Sequence, residues 1–243
     1  IQLSKYKANE IYENISSLLT AAIKKRINIA DVPVGILLSG GLDSSLITAI
    51  SKEYKNNLNT YSIGFETINK EQGNEFYFSD LVARDLNTSH EKYSITSLDL
   101  LNNLDDVIMS MSEPMFSQDS SAFYLLAKNV SKSAKVVLSG QGADEVFGGY
   151  FWYEKIMREK ELNNIETLSK YYFDRSYDNY KKIIHSDFIG ENYVSNNIES
   201  RLDQMDPSLS ILDKVFRLEL SMFIIDDPVK RVDNMTMSHS LEA

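Results

Sequence analysis

The sequence contains no cysteine, and its 243 residues include only three histidines, four prolines and one tryptophan. Without cysteine there are no disulfides, no thiolate nucleophile and no sulfur-ligated zinc or iron–sulfur centre. His90, His185 and His239 are scattered and form no ligand spacing, so core or surface roles are expected of them rather than metal binding. No run of about eighteen apolar residues is present and the first residues show no signal-peptide pattern, so neither a membrane span nor export is expected. Positive charge is in deficit: 25 Lys and Arg stand against 35 Asp and Glu, a net charge of -10 that repels phosphate backbones and makes nucleic acid a poor partner. The simplest compartment consistent with these absences is the cytoplasm. Asn14, Asn87, Asn129 and Asn234 open glycosylation-type triplets that read as chance matches in such a chain. The first residue is isoleucine, which reads as a processed or excised piece.

What is present is ordinary globular material, 43% hydrophobic and 25% charged. Apolar spacing predicts a packing helix over 5–28 through Ile11, Ile15, Leu18, Ala22 and Ile23. After Pro33, the run Val34-Gly35-Ile36-Leu37-Leu38 reads as a strand buried on both faces. Helical spacing returns at 44–55 through Leu46, Ile47, Ile50 and Tyr54, and a second strand is expected at 60–65. Residues 66–74 read as a mobile loop, 75–87 as a helix and 91–95 as a third strand. A helix over 98–111 carries the stripe Leu98, Leu101, Leu104, Val107, Ile108 and Met111. Another helix is expected at 120–132 and a fourth strand at 135–138. Strands alternating with helices predict an α/β fold, a parallel sheet with helices on both faces. Beyond residue 150 only helical spacing is visible, so the expected division is a core over 1–150 and a mostly helical part over 151–243. The run Tyr150-Phe151-Trp152-Tyr153 is expected to pack between them.

Two loops carry chemistry. The first strand runs into Ser39-Gly40-Gly41-Leu42-Asp43-Ser44-Ser45 and then into a helix. Glycines let the backbone approach an anion, the helix start offers unpaired N–H groups and partial positive charge, and three serines add hydroxyls. The lysine of the common phosphate loop is missing, and so is the Gly-x-Gly-x-x-Gly dinucleotide fingerprint. A carboxylate at a phosphate site requires a cation between them, which makes Asp43 a Mg²⁺ ligand candidate. The bland alternative is a capped helix after a glycine turn. The fourth strand runs into Ser139-Gly140-Gln141-Gly142-Ala143-Asp144-Glu145-Val146-Phe147-Gly148-Gly149-Tyr150, again glycines with carboxylates. Asp144 could complete a Mg²⁺ site with Asp43. The bland reading there is a surface turn at Gly148 and Gly149 with a solvated Glu145.

The first loop resembles the pyrophosphate loop of the ATP-pyrophosphatase superfamily, whose fold is adenine nucleotide alpha hydrolase-like. The second loop, with the tail from Asp226 to Ala243 and the run Met111-Ser112-Glu113-Pro114-Met115, resembles the synthetase domain of the glutamine-hydrolysing asparagine synthetases. The resemblance extends from about residue 10 to the end. It implies a carbon–nitrogen ligase with glutamine as amido-nitrogen donor. Aspartate is adenylated by ATP, pyrophosphate leaves, and ammonia attacks to give asparagine and AMP. It implies ATP bound by Leu38, Ser39, Gly40, Gly41, Asp43, Ser44, Ser45, Ile63, Ser139, Gly140 and Gln141, with Mg²⁺ on Asp43 and Asp144, the two candidate catalytic residues. Partners implied are a small carboxylate substrate and ammonia from a glutaminase domain absent from this chain; a homodimer is left open. The loop at 66–74 and the segment 115–120 are expected to close over the intermediate. Gln141 stands where many members have Glu. With the tail string, this looks like a branch that includes N-acetylglutaminylglutamine amidotransferase, so amidation of another carboxylate, such as a dipeptide, is the alternative. A nucleotide-binding relic is a further one. RNA-thiolating enzymes share the first loop but want basic patches and cysteines, and NAD and GMP synthetases lack the second run. His239 and Glu242 are candidates for the rim of the substrate pocket.

Overall fold

In a computed structural model, the protein is described over residues 7–66, 76–115, 117, 119–159 and 164–243. Two compact units are present: Ile1–Gln141 with Asp227–Ala243, and Gly142–Asp226. The boundary falls after Gln141, nine residues before the expected one at 150, and residues 227–243 belong with the first unit.

The first unit is built on α1 (Ala8–Ile29), β1 (Val34–Leu37), α2 (Leu42–Tyr54), β2 (Asn59–Phe65), α3 (Phe76–Asp85), β3 (Ser89–Ile95), α4 (Ser97–Met109), α5 (Asp119–Val130) and β4 (Val136–Leu138). The four strands make one parallel sheet in the order β3-β2-β1-β4. Side chains alternate across it. Val34, Ile36 and Leu138 face α1 and α2 through Ile23 and Ile50, whereas Leu37, Tyr61 and Val137 face α5 through Leu126, Ala127 and Val130. Helices thus cover both faces, and every residue of β1 is buried, as its unbroken apolar run requires. At the tail, Glu242 pairs in parallel with Val136 on the outer edge of β4.

Three expected stripes differ from the faces that are buried. In α1 only the C-terminal part packs: Ile23 is buried, Leu19 and Ile27 lie against the sheet cluster, and Leu18 is exposed. In α2 the packing face is Ser44, Thr48, Ile50 and Ser51, and Leu46 points outward. In α4, Val107 is buried with Leu100 and Met111 against α5, while Leu98, Leu101, Leu104 and Ile108 are exposed. The cause is common to all three. Periodicity marks where an apolar side chain recurs, but a helix with apolar residues on several sides is sorted only by its neighbours. The start of α4 is fixed locally by a capping box: the Asp99 N–H donates to Thr96 Oγ1 at 3.1 Å, and the Thr96 N–H donates to Asp99 Oδ2 at 2.9 Å.

The second unit contains α6 (Ala143–Phe147), α7 (Phe151–Arg158), α8 (Asn164–Tyr171), α9 (Tyr177–Lys181), α10 (Tyr193–Asp203) and α11 (Ile211–Leu218), with a π-helical turn at Glu219–Phe223. No strand occurs in it among the described residues. Tyr153, Ile156, Leu168, Ile198, Leu202, Val215 and Leu218 form its core. Tyr150 stacks on Trp152 at 4.1 Å and Tyr153 is buried in that core, so the aromatic run packs within this unit, with Phe151 outside it at 69% exposure. Finally, α12 (Lys230–Met237) returns to the first unit and packs along α5.

Candidate nucleotide site

Both loops lie at the carboxyl ends of adjacent strands, where ligands bind in open α/β sheets. They share a local design. The Gly41 N–H donates to Ser39 Oγ at 3.3 Å, and the Gln141 N–H donates to Ser139 Oγ at 3.3 Å. In each case a serine accepts from the N–H two residues on and turns the chain out of the sheet.

In the first loop Gly40 adopts φ +92 and lies on the first turn of α3. A Cβ there would come within 2.5 Å of the Ser79 nitrogen and 2.6 Å of the Phe78 carbonyl carbon, so only glycine fits. The cap of α2 is Gly41, which has no side chain to satisfy the N–H groups of the first helical turn. The loop instead bonds to itself, and weakly. The Gly40 N–H reaches Ser44 Oγ at 3.3 Å, and the Ser39 and Ser44 hydroxyls meet at 3.0 Å. Ser45 Oγ donates to the Gly41 carbonyl at 2.6 Å. Long N–H contacts of this kind exchange readily for the oxygens of an anion. Asp43 is half-buried on the same turn. The second loop closes against it: a Cβ at Gly140 would lie 3.1 Å from the Asp43 Cβ and 3.2 Å from the Ser44 nitrogen. Ser39 through Ser45, Ser139 and Gly140 are therefore together, and Gln141 is exposed beside them.

Leu38 is 1% exposed and its side chain is core; its N–H donates to the Tyr61 carbonyl at 2.8 Å. Residues of a parallel strand bond to alternate neighbours. Ile63 therefore turns its N–H and carbonyl to the side where Tyr61 met β1, beyond the point at which β1 leaves the sheet. Its side chain packs with the α5 cluster, so the backbone is what Ile63 offers a ligand.

Asp144 opens α6 in the second unit. The Gly148 and Gly149 N–H groups donate to its carbonyl at 2.8 and 3.0 Å, and a Cβ at Gly149 would collide with its carboxylate. This pair of glycines thus serves Asp144 rather than a bare surface turn. Glu145 is not solvated. It is 1% exposed, its Oε1 accepts from Tyr150 Oη at 2.6 Å, and its Oε2 has no hydrogen-bond partner among the described residues. Beside it Glu219, fully buried, accepts from Tyr153 Oη at 2.8 Å. Burial, reinforced by the charge of Glu145, raises the Glu219 carboxyl to about 7. Burial and the paired carboxylates also push Tyr150, Tyr153 and Tyr172 above the ordinary phenol value. Nothing in the sequence marked Glu219, because no motif surrounds it.

The tail string and the run at 111–115 meet in space. Lys230 pairs with Glu113, Asn234 Oδ1 accepts from the Ser112 N–H at 2.8 Å, and Arg231 lies between Asp227 at 2.8 Å and Asp119 at 3.6 Å. His239 packs edge-on against Tyr124 at 4.5 Å with its Nε2 buried, and Glu242 is held by backbone pairing to Lys135 and Val137. Of the closing segments expected at 66–74 and 115–120, residues 67–74, 116 and 118 lie outside the described residues. Among the described residues, no helix is long and apolar enough to cross a membrane, and no group of three or more His, Asp or Glu is placed to hold a metal.

The chain is similar to asparagine synthetase [glutamine-hydrolyzing] 3 of Bacillus subtilis, 30% identical over 242 residues, covering 94% of this chain and 39% of that protein. It is 35% identical over 150 residues to asparagine synthetase [glutamine-hydrolyzing] 1 of the same organism, covering 60% of this chain and 23% of the relative. With asparagine synthetase [glutamine-hydrolyzing] 1 of Arabidopsis thaliana it shares 33% over 169 residues, 62% of this chain and 28% of the relative. The chain thus spans between about a quarter and two fifths of these relatives. Among solved structures, an NH3-dependent NAD synthetase from Campylobacter jejuni aligns at 18% identity and TM-score 0.43, over 89% of this chain and 97% of that one. A family model described as asparagine synthase matches residues 14–243. With nearly the whole chain inside that match, this protein belongs to the asparagine synthase family.

Proposed function

We propose that this chain binds ATP on the loop from Ser39 to Ser45 and adenylates a carboxylate, aspartate being the substrate, as the synthetase part of a glutamine-dependent ligase. The observation that carries this reading is the turn at Gly40, a positive-φ residue seated on α3 and leading into a helix whose glycine cap leaves its first N–H groups to a ligand. The β- and γ-phosphates take the place of the 3.3 Å contacts of the Gly40 and Gly41 N–H groups, and Ser39, Ser44 and Ser45 add hydroxyl donors. The Ile63 backbone and the Ser139–Gly140 turn border the nucleoside.

Asp43, on the first turn of α2, presents a carboxylate of the kind magnesium takes, and magnesium commonly completes its shell with phosphate oxygens and water. Asp144 opens α6 with a carboxylate of the same kind. The metal would neutralise charge on the departing pyrophosphate. The substrate carboxylate oxygen attacks the α-phosphorus and the bond to the β-phosphate bridging oxygen breaks. Fixed N–H donors of the loop stabilise the charge that develops on pyrophosphate. Ammonia then attacks the acyl carbon, AMP leaves with the bond to phosphorus intact, and the amide nitrogen loses a proton to solvent. In this reading ammonia is supplied by a glutaminase domain other than this chain, which has no cysteine to serve as that nucleophile.

The test is exchange of labelled pyrophosphate into ATP by the full-length protein. Exchange that depends on aspartate and magnesium is expected. Exchange absent with every carboxylate tried would refute the adenylation, and exchange only with a dipeptide carboxylate would move the substrate to the alternative that Gln141 suggests.

A further inference from the structure

We infer that His90 is a positioning residue for the nucleotide loop, holding both sides of the Gly40 turn through two serine hydroxyls; this rests on the nucleotide-binding reading above. His90 lies on β3 opposite Thr60, on the sheet face shared by Ser62 and covered by α3. Its Nε2 is 3.3 Å from Ser62 Oγ and 3.3 Å from Ser79 Oγ, and its Nδ1 is 2.9 Å from Thr60 Oγ1. Ser62 and Ser79 are buried.

The hydrogen-bond inventory fixes the tautomer. Ser62 donates its hydroxyl proton to the Leu38 carbonyl, and Ser79 donates to the Phe76 carbonyl at 3.2 Å. A hydroxyl has one proton to give, so both oxygens are left to accept, and the donor is Nε2–H. Nδ1 then accepts from Thr60 Oγ1, whose own oxygen accepts from Thr88 at 2.8 Å. Burial lowers the pKa of the ring from its ordinary value, which keeps it in this neutral form.

The two serines lead to opposite sides of the loop. Leu38 is the residue from which the chain leaves β1 for Ser39, and its carbonyl is fixed by Ser62. Ser79 belongs to the helical turn whose backbone Gly40 rests on. A single N–H therefore ties the exit of the strand to the floor beneath the turn. His90 does not itself reach the loop, so its effect on a ligand runs through Ser62 and Ser79. Without Nε2–H each hydroxyl keeps only the bond it donates to its own carbonyl, and the Leu38 carbonyl and the first turn of α3 lose their common restraint.

The test compares two substitutions in the 243-residue chain. His90→Gln places an amide nitrogen near the position of Nε2 and keeps a donor for the serines; His90→Asn places its amide near Nδ1 and serves only Thr60. Magnesium-ATP affinity by calorimetry is expected to fall about tenfold in His90→Asn and to stay within about threefold in His90→Gln, with similar thermal midpoints for the two. Equal losses in both variants, tracking their thermal midpoints, would show a purely structural histidine and overturn the inference. So would affinities within about twofold of the unsubstituted chain in both. Absence of ATP binding by the unsubstituted chain would instead remove the nucleotide reading, and this inference with it. Independently of ATP and of variant folding, the ¹⁵N shifts of His90 are expected to report the Nε2–H tautomer; an Nδ1–H ring overturns the assignment.

Discussion

The two loops begin alike and are supported differently. Each follows a buried strand, and each starts with a serine accepting from the N–H two residues on. Beneath the first lie neutral groups, two serines and an uncharged imidazole, and it opens into a thirteen-residue helix. Beyond the second comes a five-residue helix set over two buried acids, Glu145 and Glu219, bonded by tyrosines. In the proposed function the first loop is a phosphate cradle, which needs fixed dipoles and no competing charge, and its support is of that kind. Presenting a carboxylate, as α6 presents Asp144, tolerates a charged and titratable support. The same local grammar therefore serves two ends, and what lies underneath decides which.

Four experiments sharpen that contrast. The largest effect is expected from Gly40→Ala. The positive φ and the approach to Ser79 cost about 3 kcal/mol in denaturant unfolding, and magnesium-ATP binding disappears in calorimetry. Normal affinity in that variant would break the assignment of the first loop.

Next comes the pH dependence of the second loop's support. The Glu219 carboxyl rises from an ordinary 4.5 to about 7 on folding, so the folded chain holds this proton more tightly than the unfolded one. Its stabilising contribution is full below about 4.5 and is lost as pH climbs to about 7, a change of about 3 kcal/mol. Chemical denaturation across that window should show the slope, and Glu219→Gln should flatten it. A slope unchanged by the substitution would mean that another group titrates.

Asp43→Asn is expected to weaken ATP binding in the presence of magnesium by about tenfold while leaving metal-free binding nearly unchanged, measured by titration with and without a chelator. Equal weakening in both conditions would assign Asp43 to the loop's architecture instead. The smallest effect is expected from Gln141→Glu. ATP affinity should stay within about twofold, because the exposed side chain lies outside the turn, and any change should appear in which carboxylate supports pyrophosphate exchange.

Much of the first unit is legible in the sequence. Val34 to Leu38 is apolar throughout because both faces of β1 are covered, and a continuous run is the signature of that burial. The Ser39 to Ser45 loop was legible because its chemistry is local: a positive-φ glycine, a helix start and hydroxyls all lie within one turn. Helix faces were less legible. Leu98 and Val107 look equivalent in the sequence, yet one is 62% exposed and the other 1%, since only the position of α5 separates them. Glu145 read as a solvated acid and is buried, because its phenol partner five residues on acts only once α6 and α7 are in place.

By itself, then, the sequence determined the order of strands and helices and the two loops, features specified within a few consecutive residues by backbone geometry and side-chain periodicity. The tertiary structure alone decided the rest. It brought Gly140 against Asp43, joined Lys230 to Glu113 across more than a hundred residues, and placed His90 beneath a loop fifty residues earlier. Contacts of that separation depend on how parallel strands are ordered and which helix covers which face, and no short stretch of chain encodes either.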